Sequence, residues 1–208
     1  MKKKIFGITL AVCLVVLSIA SSTMAYFTDT ASKTQVFTSG NVDIEFATPA
    51  IFAGDSEVAQ SVHPGEEIGK AGTVVNVGSE DAFVGIVISV DKYKTGKDIT
   101  KLFTGLANAN VVVKVVSTSN DDGNTSNGTI YVYCKTKLNG LATSTQTTEK
   151  ITFFDNITIP ADWDNSEMSA FKGATITVTA YATQVFGFND AKTALTTAFP
   201  TEWSAVGN

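Results

Sequence analysis

Arginine is absent from the 208 residues, histidine occurs once and cysteine twice. All 15 cationic side chains are lysines, set against 20 Asp and Glu, and the net charge is −5. A nucleic-acid binder needs a basic footprint, which this balance does not supply. One imidazole, His63, excludes a paired-histidine zinc site. Two thiols cannot build a zinc finger or a disulfide scaffold. The sequence also lacks a Gly-x-Ser-x-Gly elbow and a Gly-x-x-x-x-Gly-Lys phosphate loop. His63 stands in Val62-His63-Pro64-Gly65-Glu66-Glu67, which reads as a solvated turn. Asn120-Asp121-Asp122-Gly123-Asn124 lacks the alternating ligands and closing Glu of a calcium loop, and reads as a polar turn. No catalytic residue, metal ligand or cofactor is therefore expected.

Hydrophobic residues make up 44% of the chain, enough for one folded domain with a real core. The first 25 residues have a different logic. Lys2, Lys3 and Lys4 precede a 16-residue apolar run from Ile5 to Ala20, and Ser21-Ser22-Thr23-Met24-Ala25 follows. That is the layout of a secretory signal peptide cut between Ala25 and Tyr26. The run is shorter than the ~20 residues that span a bilayer, so membrane contact is expected only before cleavage. Removal leaves 183 residues with a net charge of −8, and Cys134 as the sole thiol. Cys134 shares a strand face with Ile130 and Val132, so a buried, inert thiol is expected.

The remainder alternates with period two. Val42, Ile44 and Phe46 share one face of a strand that begins at Asn41, and Val84, Ile86, Ile88 and Val90 share another. Val111, Val113 and Val115 repeat the pattern, as do Ile130, Val132 and Cys134. Ala174, Ile176, Val178, Ala180 and Ala182 alternate with Thr175, Thr177, Thr179, Tyr181 and Thr183. Further strands are expected near Ile68–Val77 and Lys150–Ile159. Pro64-Gly65 fits a type II turn, Asn120 to Gly128 a long hairpin loop, and Asn139-Gly140 a tight turn. Short helices are expected over Asp98–Ala107 and after Asp190, the second carrying a stripe of Ala191, Ala194, Leu195, Ala198 and Phe199 before Pro200. One-sided alternation in seven or eight strands predicts an all-β fold. The expected form is a jelly-roll-type antiparallel β-sandwich with a few short helices. The expected organisation is a signal peptide over 1–25, an amino-terminal segment over 26–40 and the sandwich over 41–208.

The junction Ala25-Tyr26-Phe27-Thr28-Asp29-Thr30, then Val36-Phe37-Thr38-Ser39-Gly40-Asn41-Val42-Asp43-Ile44, resembles the exported TasA/camelysin family of Gram-positive bacteria. In that family the signal peptide runs into an Ala-Tyr-Phe-Ser-Asp-like motif and a Phe-x-x-Gly-x-Leu-Asp-Leu-like strand. Val62-His63-Pro64-Gly65-Glu66 with Val74-Val75-Asn76-Val77-Gly78-Ser79 is similar to later motifs of the family. So is Ala180-Tyr181-Ala182-Thr183-Gln184 with Phe186-Gly187-Phe188-Asn189. The resemblance covers both ends of the chain and little of its middle. It implies a secreted subunit, released by a SipW-type signal peptidase, that polymerises head to tail into biofilm or spore-surface fibres. An accessory or anchoring matrix protein would be a further partner. Camelysin relatives are also catalogued as surface metalloproteases, for which this chain offers no zinc-ligand set.

In such fibres the mature amino-terminal segment of one copy adds as a strand to the next. Tyr26 to Phe37 suits that role, having no proline or glycine to break a backbone ladder. Tyr26, Thr28, Thr30, Ser32, Thr34 and Val36 form an uncharged face, expected to dock inward. Phe27 and Phe37 could fill end pockets, and Gly40 follows as a hinge. The same segment could instead fold onto its own subunit. A second class of function also stays open, a secreted sandwich that binds a glycan or protein through Tyr131, Tyr133 and Tyr181 on wet strand faces.

Overall fold

A computed structural model describes residues 28–31, 42–47, 62–106, 110–141 and 149–207. The expected signal peptide, Ala25, Tyr26, Phe27, Ser32, Thr34, Val36, Phe37 and Gly40 lie outside the described residues.

The described strands are β1 (Thr28–Ala31), β2 (Ile44–Phe46), β3 (Glu67–Gly69), β4 (Gly72–Asn76), β5 (Ala82–Lys94) and β6 (Phe103–Thr104). They continue with β7 (Val111–Ser119), β8 (Thr125–Cys134), β9 (Lys150–Phe154), β10 (Asn156–Thr158) and β11 (Ile176–Gln184). Helices are α1 (Asn165–Phe171), α2 (Ala191–Ala198) and α3 (Ser204–Gly207). A five-stranded sheet has the order β1-β11-β5-β8-β7, and two three-stranded sheets have the orders β2-β4-β9 and β3-β10-β6. Every one of these pairings is antiparallel. The chain alternates between layers: β5 in the large sheet, β6 opposite, β7 and β8 back, β9 and β10 opposite, β11 back. The fold is the expected all-β sandwich with jelly-roll-type crossings and short helices.

Period-two alternation builds the core directly. Val84, Ile86, Ile88 and Val90 of β5 point one way and are all but inaccessible to solvent. Ile86 pairs with Val132 and Ala180, and Ile88 with Ile130 and Val178, so three adjacent strands present one apolar layer. Val74, Phe153, Phe154 and Ile157 of the small sheets close over it in the same cluster. Cys134 is buried there as expected.

Several elements differ from their sequence reading. Ile68–Val77 divides into β3 and β4, and Lys150–Ile159 into β9 and β10. The second break falls at exposed Asp155, whose N–H donates to the Thr104 carbonyl at 2.7 Å. There the chain changes sheets, from β4 as partner to β3 and β6. The long loop expected over Asn120 to Gly128 is confined to residues 120–124, because Thr125 to Gly128 continue β8. Asp122 closes this hairpin, its Oδ1 accepting from the N–H groups of Asn124 (2.9 Å) and Thr125 (2.8 Å). The helix expected over Asp98–Ala107 is one 3-10 turn, Ile99–Leu102, which gives way to β6. Among the described residues Asn139-Gly140 joins no hairpin; Glu149 instead holds Asn139 through its N–H (2.8 Å) and Nδ2 (2.7 Å). Pro64-Gly65 does form its turn, with Gly65 at φ 85 and Glu66 N–H donating to the His63 carbonyl at 3.0 Å.

Candidate functional site

The amino-terminal strand lies at one edge of the large sheet. β1 pairs antiparallel with β11, setting Thr28 opposite Thr183, Asp29 opposite Ala182, Thr30 opposite Tyr181 and Ala31 opposite Ala180. β11 pairs along its full length with β5 on its other side. The described part of the expected donor segment therefore sits on its own subunit, covering four of the nine residues of β11. β2 of the opposite layer lies against both β1 and β11. The chain is anchored again at Val42 and Ile44, both buried in the shared core, and at the Asp43 carbonyl, which accepts from Val77 and Gly78.

The expectation that the face with Thr28 and Thr30 docks inward concerns side chains outside the described residues. Their partner strand is buried on both faces here: Ala180, Tyr181, Ala182 and Thr183 are all buried. Alternation distinguishes inside from outside only where one face of a sheet is wet. Thr183 Oγ1 is buried and has no hydrogen-bond partner, directly opposite Thr28.

The second cover comes from the C-terminal helices. Leu195, Phe199, Trp203 and Val206 pack on Tyr131 and Tyr181, with Tyr133 at the margin. The ring of Trp203, fully buried, meets Tyr131, Tyr133 and Tyr181 edge-on at centroid distances of 5.7, 6.1 and 6.0 Å. A glycine in mid-strand makes room for it: a Cβ on Gly85 would lie 2.5 Å from the Trp203 ring. This corrects the placing of Tyr131 and Tyr181 on wet strand faces, while Tyr133 is half-buried. Burial raises the pKa of all three phenols, assisted at Tyr133 by Asp190 and at Tyr181 by Glu202 and Tyr131.

The other charged groups serve local structure. Asp164 and Glu167 form a capping box on α1, with Ser166 N–H donating to Asp164 at 2.7 Å and Asp164 N–H to Glu167 at 2.8 Å. Lys97 Nζ stands 2.6 Å from the largely buried Glu167 carboxylate. The hydrogen bond with Asp164, then that with Lys97, draws the Glu167 pKa down to about 2. Asp122 is held below the ordinary carboxylate range chiefly by hydrogen bonds from Thr125. His63 is exposed at its turn. Among the described residues no three His, Cys, Asp or Glu side chains gather as a metal set, and no helix is long and apolar enough to cross a membrane. Phe186, in the turn after β11, is 86% exposed.

No protein-family model, curated protein or solved structure matches this chain. The arrangement that connects most directly to a chemical capability is thus the β1–β11 edge. It is a strand at the amino-terminal end of the described chain, held by backbone pairing at the border of a sheet.

Proposed function

We propose that this protein is a secreted structural subunit. Its amino-terminal segment leaves its own β11 and completes the β11 edge of the next copy, building extracellular fibres of a biofilm matrix or cell surface. The observation that carries this reading is the position of β1. Its four residues pair at the outer border of the sheet, and ten residues separate Ala31 from Val42, where the chain is anchored again. Ten extended residues reach roughly 35 Å. A 183-residue domain has a radius of gyration of about 16 Å, so the segment is long enough to reach a neighbouring copy.

Backbone pairing is neutral between retention and exchange. β1 offers about four backbone hydrogen bonds, each contributing ~0.5–1.5 kcal/mol net. The same bonds form whether the acceptor is its own β11 or another copy's, so concentration and packing decide between them. Head-to-tail exchange does not close and yields filaments rather than dimers. The resemblance of Ala25-Tyr26-Phe27-Thr28-Asp29 to the TasA/camelysin junction points the same way. It also supports release by a SipW-type peptidase between Ala25 and Tyr26. A signal peptide on the segment would hold it at the membrane until export and so delay assembly.

The role is structural rather than catalytic. The glycan-binding alternative has less support, since Tyr131 and Tyr181 are buried and Tyr133 is half-buried. Purified chain beginning at Tyr26 is expected to form fibres in negative-stain images, whereas chain beginning at Gly40 is not. Equal fibre yield from the two would end this reading.

A further inference from the structure

Among the described residues the large sheet has a second border, β7, which runs nine residues without proline, glycine or bulge. Natural edge strands of that length are guarded by charge, kinks or cover. The only charge on β7 is Lys114, and its ammonium binds the Ala205 carbonyl on the helix-covered side of the sheet. Val115 and Val116, at the centre of the strand and on opposite faces, are 41% and 37% exposed. Val115 pairs with Ile130, which is fully buried, so the sandwich stands open beside it.

The backbone parity of this border is fixed. Lys135 N–H donates to the Asn110 carbonyl at one end of the β7–β8 ladder, and Asn120 N–H to the Thr125 carbonyl at the other, both at 2.9 Å. Bonded pairs alternate along an antiparallel ladder, and the register is unbroken between these points. The even-numbered residues of β7 therefore bond to β8. Val111, Val113, Val115, Ser117 and Ser119 direct their N–H and C=O groups outward.

We propose that β7 is a self-complementary interface. The β7 strand of a second copy pairs with it antiparallel about a twofold axis through Val115, joining two large sheets into one. Parity allows only registers that set odd residues opposite odd ones. Centring on Val115 sets Val111 opposite Ser119, Val113 opposite Ser117 and Lys114 opposite Val116, and uses all nine residues. Centring on Lys114 would place two ammonium groups opposite each other. Centring on Val116 would leave Val111 without a partner in the strand. A second copy suits this edge better than a charged partner, because the strand carries no acidic residue and its one cation is already bound. The contact is lateral and does not depend on exchange of the amino-terminal segment.

The test uses the chain beginning at Tyr26 with Cys134→Ala, Asp29→Cys and Ala182→Cys, whose disulfide holds the amino-terminal segment on its own subunit. Sedimentation of this locked chain is expected to show a reversible dimer. Adding Val115→Lys should weaken it by roughly tenfold or more, with the thermal unfolding midpoint of the dilute monomer unchanged. In a separate Cys134→Ala chain, Val115→Cys should give a covalent dimer on mild oxidation, and Ser119→Cys should not. A locked chain that remains monomeric while the unlocked one associates would assign the contact to the amino-terminal segment and overturn the proposal. So would a dimer that survives Val115→Lys but is lost in Phe186→Ser. Absence of fibres from the unlocked chain would count against strand exchange and leave this interface standing.

Discussion

Replacing Gly85 by alanine tests how the C-terminal helices are keyed to the sheet. A Cβ there would lie 2.5 and 2.7 Å from two Trp203 ring atoms and 2.9 Å from Leu195 Cδ1. Carbon atoms pack at about 3.5–4.0 Å, so the indole must retreat by roughly 1 Å. It cannot do so freely, since Tyr131, Tyr133 and Tyr181 surround it. Overpacking of this kind costs about 1–3 kcal/mol. Trp203→Ala instead opens a cavity and should cost about 3–5 kcal/mol. Trp203→Phe is milder, because it also removes the indole N–H, which is buried without an acceptor. The decisive variant combines Gly85→Ala with Trp203→Phe. The added methyl then enters space the smaller ring has vacated, so the double variant should be more stable than the sum of the singles by about 1–2 kcal/mol. Urea unfolding followed by far-ultraviolet circular dichroism measures all three. Strict additivity would mean that Gly85 and Trp203 do not meet as described.

Two further predictions concern pH. The Glu167 carboxyl has its ordinary pKa near 4.5 when unfolded and about 2 when folded, so its contribution to stability is complete above pH 4.5 and is lost as pH falls towards 2. The stability difference between the native chain and Glu167→Gln should therefore shrink across that interval, and a constant difference would contradict the pairing with Asp164 and Lys97. Tyr131, Tyr133 and Tyr181 keep their protons in the folded state beyond the ordinary value of 10.0, so stability should decline as pH rises past about 10. Absorbance at the phenolate band should show these three ionising late, and simultaneous ionisation of all tyrosines near 10 would contradict their burial.

The sequence exposed the sandwich wherever one face of a strand met the core. Ile86 and Ile88 of β5, Ile130 and Val132 of β8, and Ile176 and Ala180 of β11 alternate cleanly and pair in register. It concealed the outer layer because that layer depends on contacts remote in sequence. Gly85 reads as a weak point in a strand until Trp203 is placed in it. Tyr181 and Thr183 follow the polar phase of β11 and are nevertheless buried, since α2 and α3 cover that face. Helix α2 was legible from Asp190 and its apolar stripe, but the stripe does not say which sheet face receives it. Helix α1 carried a readable sign in Asp164-Asn165-Ser166-Glu167, a capping box ahead of a short apolar turn. At the amino terminus the expected strand over Tyr26 to Phe37 is described only at Thr28–Ala31, which is a strand.

The exchange of the amino-terminal strand is the central claim, and a mixed cross-link tests it most directly. In a Cys134→Ala background, one batch carries Asp29→Cys alone and another Ala182→Cys alone, positions set opposite each other by the β1–β11 register. Paired residues across an antiparallel ladder have Cα separations of about 4.5–5.5 Å, within the span of a disulfide. Mixed, assembled and oxidised, the two batches should give covalent dimers containing one chain of each kind. Fibres that form normally but yield no such dimer would show that each segment stays on the subunit it came from.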